Sequence, residues 1–366
     1  MSYLLKDLYS PLFYDKLSSV LAKTIPAFDE QKFIRLIYVP EFDAKELKER
    51  MKHTTRVLNN FLPADYAESV KLIEKIIAQL RMERIGEDSL PYMFIPDYIE
   101  TYGLNDFKNS VKALEFTTQF TSCEFAVRPF ILKYELDMIS EMQKWSKHEN
   151  HKVRRLASEG SRPRLPWAMG IPFLKKDPSS ILPILENLKC DDSEYVRRSV
   201  ANSINDIAKD HPAIVLDLAS RWSGLSKETD AIVKHGSRTL LKQGHAEILK
   251  HYGLDDKGIH LSDFKVLTPE VKIGANLEFS FSIENTNETE QKVRLEYAIY
   301  YMKQNGQLAK KVFKVSERPY PPGTKINVNR KQKFVLITTR KFYLGKHQIS
   351  IIINGIEKDI SIFELV

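Results

Sequence analysis

The sequence predicts an all-α repeat solenoid over residues 1–255 followed by an all-β sandwich over 256–366. Three observations carry that division. Apolar residues recur at helical spacing in the first part and alternate with polar ones in the second, a Val-Arg-Arg tripeptide returns at a repeat-like interval, and the two parts differ in charge. A chain of 366 residues also exceeds the roughly 100–200 that one core usually organises.

In the first part, Leu104, Phe107, Val111, Leu114 and Phe120 trace one face of a helix, with Asn105 and Asp106 placed to cap it. Prolines at 91, 96, 129, 163, 166, 172, 178, 183 and 212 favour short paired helices over long bundle helices. HKVRRLASEG, from His151, resembles EYVRRSVANS, from Glu194, with Val-Arg-Arg recurring 43 residues later, and a poorer copy begins at Ala231. That interval lies in the range of HEAT-like and armadillo units, whose helix pairs bury their apolar faces by stacking and leave a concave surface.

Past a linker at Gly253 to Gly258 the period becomes two. LEFSFSIEN (277–285) and VRLEYAIYY (293–301) alternate as half-buried strands do, and Asn305-Gly306 and Asn354-Gly355 supply the residues that two-residue hairpin turns require. About seven strands in this length predict an immunoglobulin-like (Ig-like) sandwich without inter-sheet cysteines.

Residues 1–255 carry 37 Lys and Arg against 36 Asp and Glu, whereas residues 256–366 carry 18 against 12. The sandwich is therefore the basic part, with Lys310, Lys314, Arg330, Lys331, Lys333 and Arg340 among its cations. A polyanion, nucleic acid ahead of membrane, is the partner this implies, although charge of this size also serves solubility. No run of apolar residues has the length of a membrane span and the chain opens on an amphipathic segment, so a cytoplasmic protein is expected. Cys123 and Cys190 are expected to be buried, reduced thiols.

Cofactor chemistry has little support. The sequence contains no HExxH, Walker or dinucleotide fingerprint, and two cysteines cannot build a thiolate zinc site, so neither a metal nor a nucleotide cofactor is expected. His148 and His151 sit between lysines and read as surface residues. What remains is a set of carboxylates and aromatics among arginines. Glu124 lies amid Phe120, Phe125, Val127 and Phe130, where a carboxylate needs a cap, a partner or a cleft; its plainer role is a helix N-terminal charge. On the helix from Glu194, the stripe Tyr195, Ser199, Asn202 and Asp206 flanks the buried face, so Asp206 need not be buried and reads equally as a solvated carboxylate. SRPRLPW places Arg162, Arg164 and Trp167 in a proline-stiffened loop after Arg154 and Arg155, a combination suited to phosphate plus base or sugar contact, with Trp167 alternatively a core anchor.

At TSCEFAVRPF, HKVRRLASEGSRPRLPWAMG and VRRSVANSINDIAKDHP the chain resembles the AlkC branch of the bacterial AlkC/AlkD DNA alkylation-repair glycosylases, over essentially its whole length. The resemblance implies a HEAT-like fold that grips duplex DNA and hydrolyses the N-glycosidic bond of cationic bases such as 3-methyladenine, 3-methylcytosine and 1-methyladenine, without a base-flipping pocket. It implies Glu124 and Asp206 as catalytic carboxylates with Trp167 beside the lesion. It further implies DNA contacts from Arg155 and other polar or basic residues, here Arg154, Arg162, Arg164, Arg198, Asn202, Lys331 and Lys333. Where the AlkD branch has Trp-Asp-x-x-x-Asp, this chain reads Glu-Phe-Ala-Val-Arg from Glu124 to Arg128, and Asn202 stands at an AlkD aromatic position, so AlkD's lesion contacts do not transfer. The expected species is a monomer on double-stranded alkylated DNA, associated with the bacterial nucleoid. A non-enzymatic scaffold and DNA binding without chemistry are the competing readings, because fold does not decide function.

Overall fold

The computed structural model describes residues 4–335 and 341–366. Two compact units divide between Gly236 and Ser237. The helices of the first unit are α1 (Pro11–Thr24), α2 (Glu30–Ile37), α3 (Leu47–Asn59), α4 (Tyr66–Met82), α5 (Phe94–Gly103), α6 (Phe107–Thr118), α7 (Val127–Trp145), α8 (His151–Gly160), α9 (Pro172–Lys176), α10 (Leu182–Leu188), α11 (Glu194–Ile207), α12 (Pro212–Trp222) and α13 (Lys227–Gly236). Short polar side chains start five of them. Ser10, Asp29, Asp65, Asp106 and Asn150 each accept a hydrogen bond from a first-turn amide, which satisfies donors that the helix itself leaves open. Asp106 caps α6, whose Val111 and Leu114 are buried, as the apolar spacing predicts.

Stacking follows the repeat. α8 packs on α7 and α11, and α11 packs in turn on α13. The two Val-Arg-Arg copies occupy equivalent places, with Val153 and Val196 both fully buried. Their first arginines do the same work: Arg154 Nη1 donates to the carbonyls of His148 and Glu149, and Arg197 Nη1 to those of Asp191 and Asp192. Each guanidinium thus ties its helix to the two carbonyls that lie five and six residues before it. The repeat read from the sequence is a structural device at that position.

The second unit contains α14 (Arg238–Gln243), α15 (Ala246–His251) and eight strands, β1 (Ile259–Val266), β2 (Glu270–Val271), β3 (Asn276–Asn285), β4 (Gln291–Met302), β5 (Leu308–Tyr320), β6 (Lys325–Lys333), β7 (Gly345–Ile353) and β8 (Ile356–Leu365). They form a three-stranded sheet, β1-β3-β6, and a five-stranded one, β2-β8-β7-β4-β5, antiparallel except for β2 with β8. Leu277, Phe279, Phe281 and Ile283 from one sheet and Val293, Leu295, Tyr297 and Ile299 from the other fill the core between them. Asn354 and Gly355 turn β7 into β8 with φ of +46° and +78°, the left-handed pair that a two-residue hairpin demands. The change of period near residue 255 marks the change from helix to strand. The compact units divide earlier, because α14 and α15 pack with the sandwich: Gly244 runs so close to Gly355 that an added Cβ would lie 2.5 Å from its carbonyl oxygen.

The thiols differ from expectation. Both are free, but only Cys123 is buried; Cys190 lies exposed in the turn after α10, where the helix has ended, with its Sγ 3.3 Å from Thr229 Oγ1. Among the described residues no helix is long and apolar enough to cross a membrane.

Candidate active site

A line of alternating charges runs through the middle of the helical unit. Glu124, in the turn leading into α7, accepts from Arg155 Nη1 at 2.5 Å and from Ser122 Oγ at 2.9 Å. Arg155, on α8, also faces Glu159 at 3.9 Å and lies over the Tyr195 ring, 4.2 Å from its centroid. Glu159 accepts from Arg162 Nη1 at 2.6 Å, Arg162 Nε donates to Asp206 at 2.8 Å, and Lys209 Nζ lies 3.1 Å from the other oxygen of Asp206. Glu159 and Arg162 are buried and the Asp206 side chain is 2% exposed, whereas Glu124 retains 19%. Pairing along the line keeps the buried charges tolerable, and Glu124 is the carboxylate at its open end.

Arg128 braces this line from behind. It is wholly buried, and its Nε and Nη1 donate to the carbonyls of Met169, Gly160 and Arg162 at 2.7, 2.8 and 2.9 Å. Burial, then the charge of Arg162, lower its pKa to about 10, so it stays cationic at neutral pH. The segment it holds presents Trp167, which is 67% exposed and sits at φ +66°. An aromatic residue in that left-handed region carries strain of about 1–3 kcal/mol, and such strain concentrates where function fixes a side chain. Lys48 Nζ holds the Trp167 carbonyl at 2.5 Å.

Two clefts open here. One, of about 440 Å³, exposes Glu124 between Ser122, Phe125, Lys152 and Tyr195. Its neighbour, of about 240 Å³, shares Met93, Ser122 and Phe125 and is bounded by Trp167, Met169 and the carboxylates Asp97 and Glu100. Burial, and secondarily the charge of Asp97, push the Glu100 carboxyl up to about 7. Among the described residues no group of three or more His, Cys, Asp or Glu is arranged to hold a metal ion.

The structure thus brings Glu124, Arg155, Arg162 and Asp206 into one line and places Trp167 on the neighbouring cleft, which shares Met93, Ser122 and Phe125 with that of Glu124. Asp206 differs from the solvated reading: the flank that periodicity left polar is covered by α8 and Arg162, and Ser199 of the same stripe is likewise buried, 2.5 Å from Ser158. Four other residues lie away from this line. Arg154 pairs with Asp191 through Nε and Nη2, Arg164 with Asp210 through both terminal nitrogens, exposed Arg198 with Glu194, and Asn202 lies 3.3 Å from His235. Lys331 and Lys333 are exposed on β6, Lys331 paired with Glu278. Arg340 lies outside the described residues. Sequence reasoning missed Glu159, although Arg155 and Glu159 stand four apart on α8 and Arg162 follows three residues later, just past the helix end. It also missed the bracing role of Arg128, whose carbonyl partners leave no side-chain signature.

Comparison with known proteins follows the same division. Residues 260–366 match the family model for the C-terminal Ig-like domain of the uncharacterised protein YhaZ. The chain is 42% identical over 356 residues to the uncharacterised protein YhaZ of Bacillus subtilis (strain 168), covering 97% of each. It also matches, over 100% of both chains, with a TM-score of 0.93 and 34% identity, the structure of the Pseudomonas fluorescens alkylpurine DNA glycosylase AlkC bound to DNA containing an abasic site analog.

Proposed function

This chain belongs to the AlkC branch of the AlkC/AlkD alkylation-repair family, and from that premise we propose that it is a DNA glycosylase for cationic alkylated bases in duplex DNA. The observation that carries the proposal is Glu124, a half-buried carboxylate held by Arg155 and Ser122 at the mouth of a cleft whose neighbour is bounded by the exposed and strained Trp167.

The chemistry asks for little more. In 3-methyladenine, 3-methylcytosine or 1-methyladenine the base already carries positive charge, so the C1′–N bond breaks with its electron pair moving onto the base and no general acid is required. Positive charge passes to the deoxyribose as an oxocarbenium-like centre. A fixed carboxylate in a cleft poor in water stabilises that charge and orients the attacking water, whose oxygen bonds to C1′ while its proton passes to the carboxylate or to solvent. Glu124 has the exposure for this role. Asp206, the second carboxylate that the resemblance implies, lies buried behind Arg162 and supports the site through the line of charges. The Trp167 face adds contact with a cationic sugar or base. As the family resemblance implies, the base is attacked without being drawn into a base-flipping pocket, and Lys331 and Lys333 of the sandwich contact the DNA backbone.

The test is release of free base, with alkali-labile abasic sites, from duplexes carrying 3-methylcytosine or 3-methyladenine. Absence of both at saturating protein leaves only a binding function. In the full chain, replacing Lys331 and Lys333 by Ala should weaken DNA affinity similarly for all sequences and lower the slope of log K against log salt by about 1–2; an unchanged slope removes the sandwich contact.

A further inference from the structure

Arg128 stands out as a wholly buried cation whose three hydrogen bonds all go to main-chain carbonyls. A charge taken out of water is ordinarily matched by a carboxylate, and three carboxylates are near enough to act on it through space: Asp206, Glu159 and Glu124. Yet its donors are aimed elsewhere, and Nη2 has no partner at all. A fork of planar donors is the group that can fix several carbonyls in one relative arrangement.

The three carbonyls say what is being fixed. Gly160 ends α8, Arg162 is the residue whose side chain holds both Glu159 and Asp206, and Met169 lies two residues after Trp167. The segment between is closed on itself by Ile171 N–H donating to the Pro163 carbonyl at 3.2 Å and Ala168 N–H to that of Leu165 at 3.3 Å. Its inner side therefore rests on one guanidinium, while Lys48 holds the Trp167 carbonyl from the exposed side.

We propose, resting on the glycosylase reading for its kinetic part, that Arg128 is a positioning residue: it sets the course of residues 160–169 so that Trp167 is presented at the cleft and Arg162 is aligned with Glu159 and Asp206. It touches no substrate. Its effect is transmitted through the main chain, so a shorter cation of the same charge cannot replace it.

The experiment compares R128K and R128M with the parent chain, using single-turnover base release at saturating enzyme, DNA affinity, and acrylamide quenching of tryptophan fluorescence. Trp145 and Trp222 are buried, so the quenchable emission belongs to Trp167, and W167F identifies it. R128K should release base about tenfold more slowly and R128M about a hundredfold, the scale of a misplacement near 1 Å, with DNA affinity within twofold and altered Trp167 quenching. Should R128M fail to fold, R128K carries the test alone. A folded R128K with parental rate and parental quenching overturns the proposal. So does a slow variant whose quenching is parental, since Arg128 would then act by charge. If the parent chain releases no base, the glycosylase reading fails, while the quenching comparison still decides whether Arg128 holds the segment.

Discussion

Both units bury a cluster of arginines and glutamates, and the two clusters differ in one respect that matters. In the sandwich, Arg294 on β4 bonds Glu296 at 2.7 Å and Glu317 at 3.1 Å, with Lys292 and Lys314 reaching Glu317 from the rim; every side chain of the central three is at most 5% exposed. In the helical unit the line from Asp206 through Arg162, Glu159 and Arg155 ends on Glu124, which opens to a cleft. Buried ion pairs are weak evidence for stability and no evidence for a site. Access at one end, beside a strained aromatic, separates the candidate site from a structural cluster of the same composition.

The largest effect expected from this comparison is at the open end. E124Q removes one charge at constant shape and should slow base release about 10²–10³-fold, roughly 3–4 kcal/mol, while the unfolding midpoint hardly moves, because Glu124 is at the edge of the line. D206N should slow release too and, unlike E124Q, lower stability by about 2–4 kcal/mol, since it takes a charge from between Arg162 and Lys209 in a buried setting. Rate and urea midpoint measured on the same preparations check the pair. Two variants with identical profiles would break the division of roles drawn from their burial.

In the sealed cluster the expectation reverses. R294M takes the guanidinium from Glu296, which is fully buried with Oε2 already lacking a hydrogen-bond partner, and should destabilise the sandwich by about 3 kcal/mol. All three tryptophans lie in the helical unit, so their unfolding transition should hold while amide exchange in β4 and β7 accelerates. Base release per folded molecule should stay within twofold. A large kinetic loss would mean that this cluster is not merely structural.

Much of this was legible in the sequence. The change of period, the Asp106 cap, the Val-Arg-Arg repeat, an acidic residue stranded in an apolar stretch at Glu124 and the proline-stiffened arginine loop each have a local physical cause that leaves a local pattern. What was not legible depends on partners distant in sequence. Asp206 sits on a polar stripe that periodicity assigns to solvent, and only the return of Arg162, 44 residues earlier, buries it. The pairing of Arg154 with Asp191 and of Arg164 with Asp210, 37 and 46 residues away, is equally invisible in the sequence. Arg128 is the extreme case, since carbonyl acceptors belong to every residue and no sequence marks which ones will converge.

The smallest expected effect concerns pH, and it sharpens the contrast by giving the sealed unit a titratable centre. His347, on β7, is buried among Tyr301, Phe334 and Phe363. Its Nδ1 accepts from the Met302 amide at 3.3 Å and its Nε2–H donates to the Tyr343 carbonyl at 3.0 Å, which fixes the neutral ring in one tautomer. Burial lowers its pKa below the ordinary 6.5, against the opposing pull of that carbonyl. The folded state therefore binds fewer protons than the unfolded one below pH 6.5, so the stability that neutral His347 provides is complete above that value and declines as pH falls through the folded pKa. Amide exchange in β4 and β7 should quicken as pH falls below about 6.5, and H347Q, which has no ring to protonate, should flatten that dependence while lowering stability at pH 7.5. Equal pH dependence in both proteins would place the titrating group elsewhere. His53 of the helical unit is also lowered by burial but less enclosed, so tryptophan-monitored unfolding should change less over the same range.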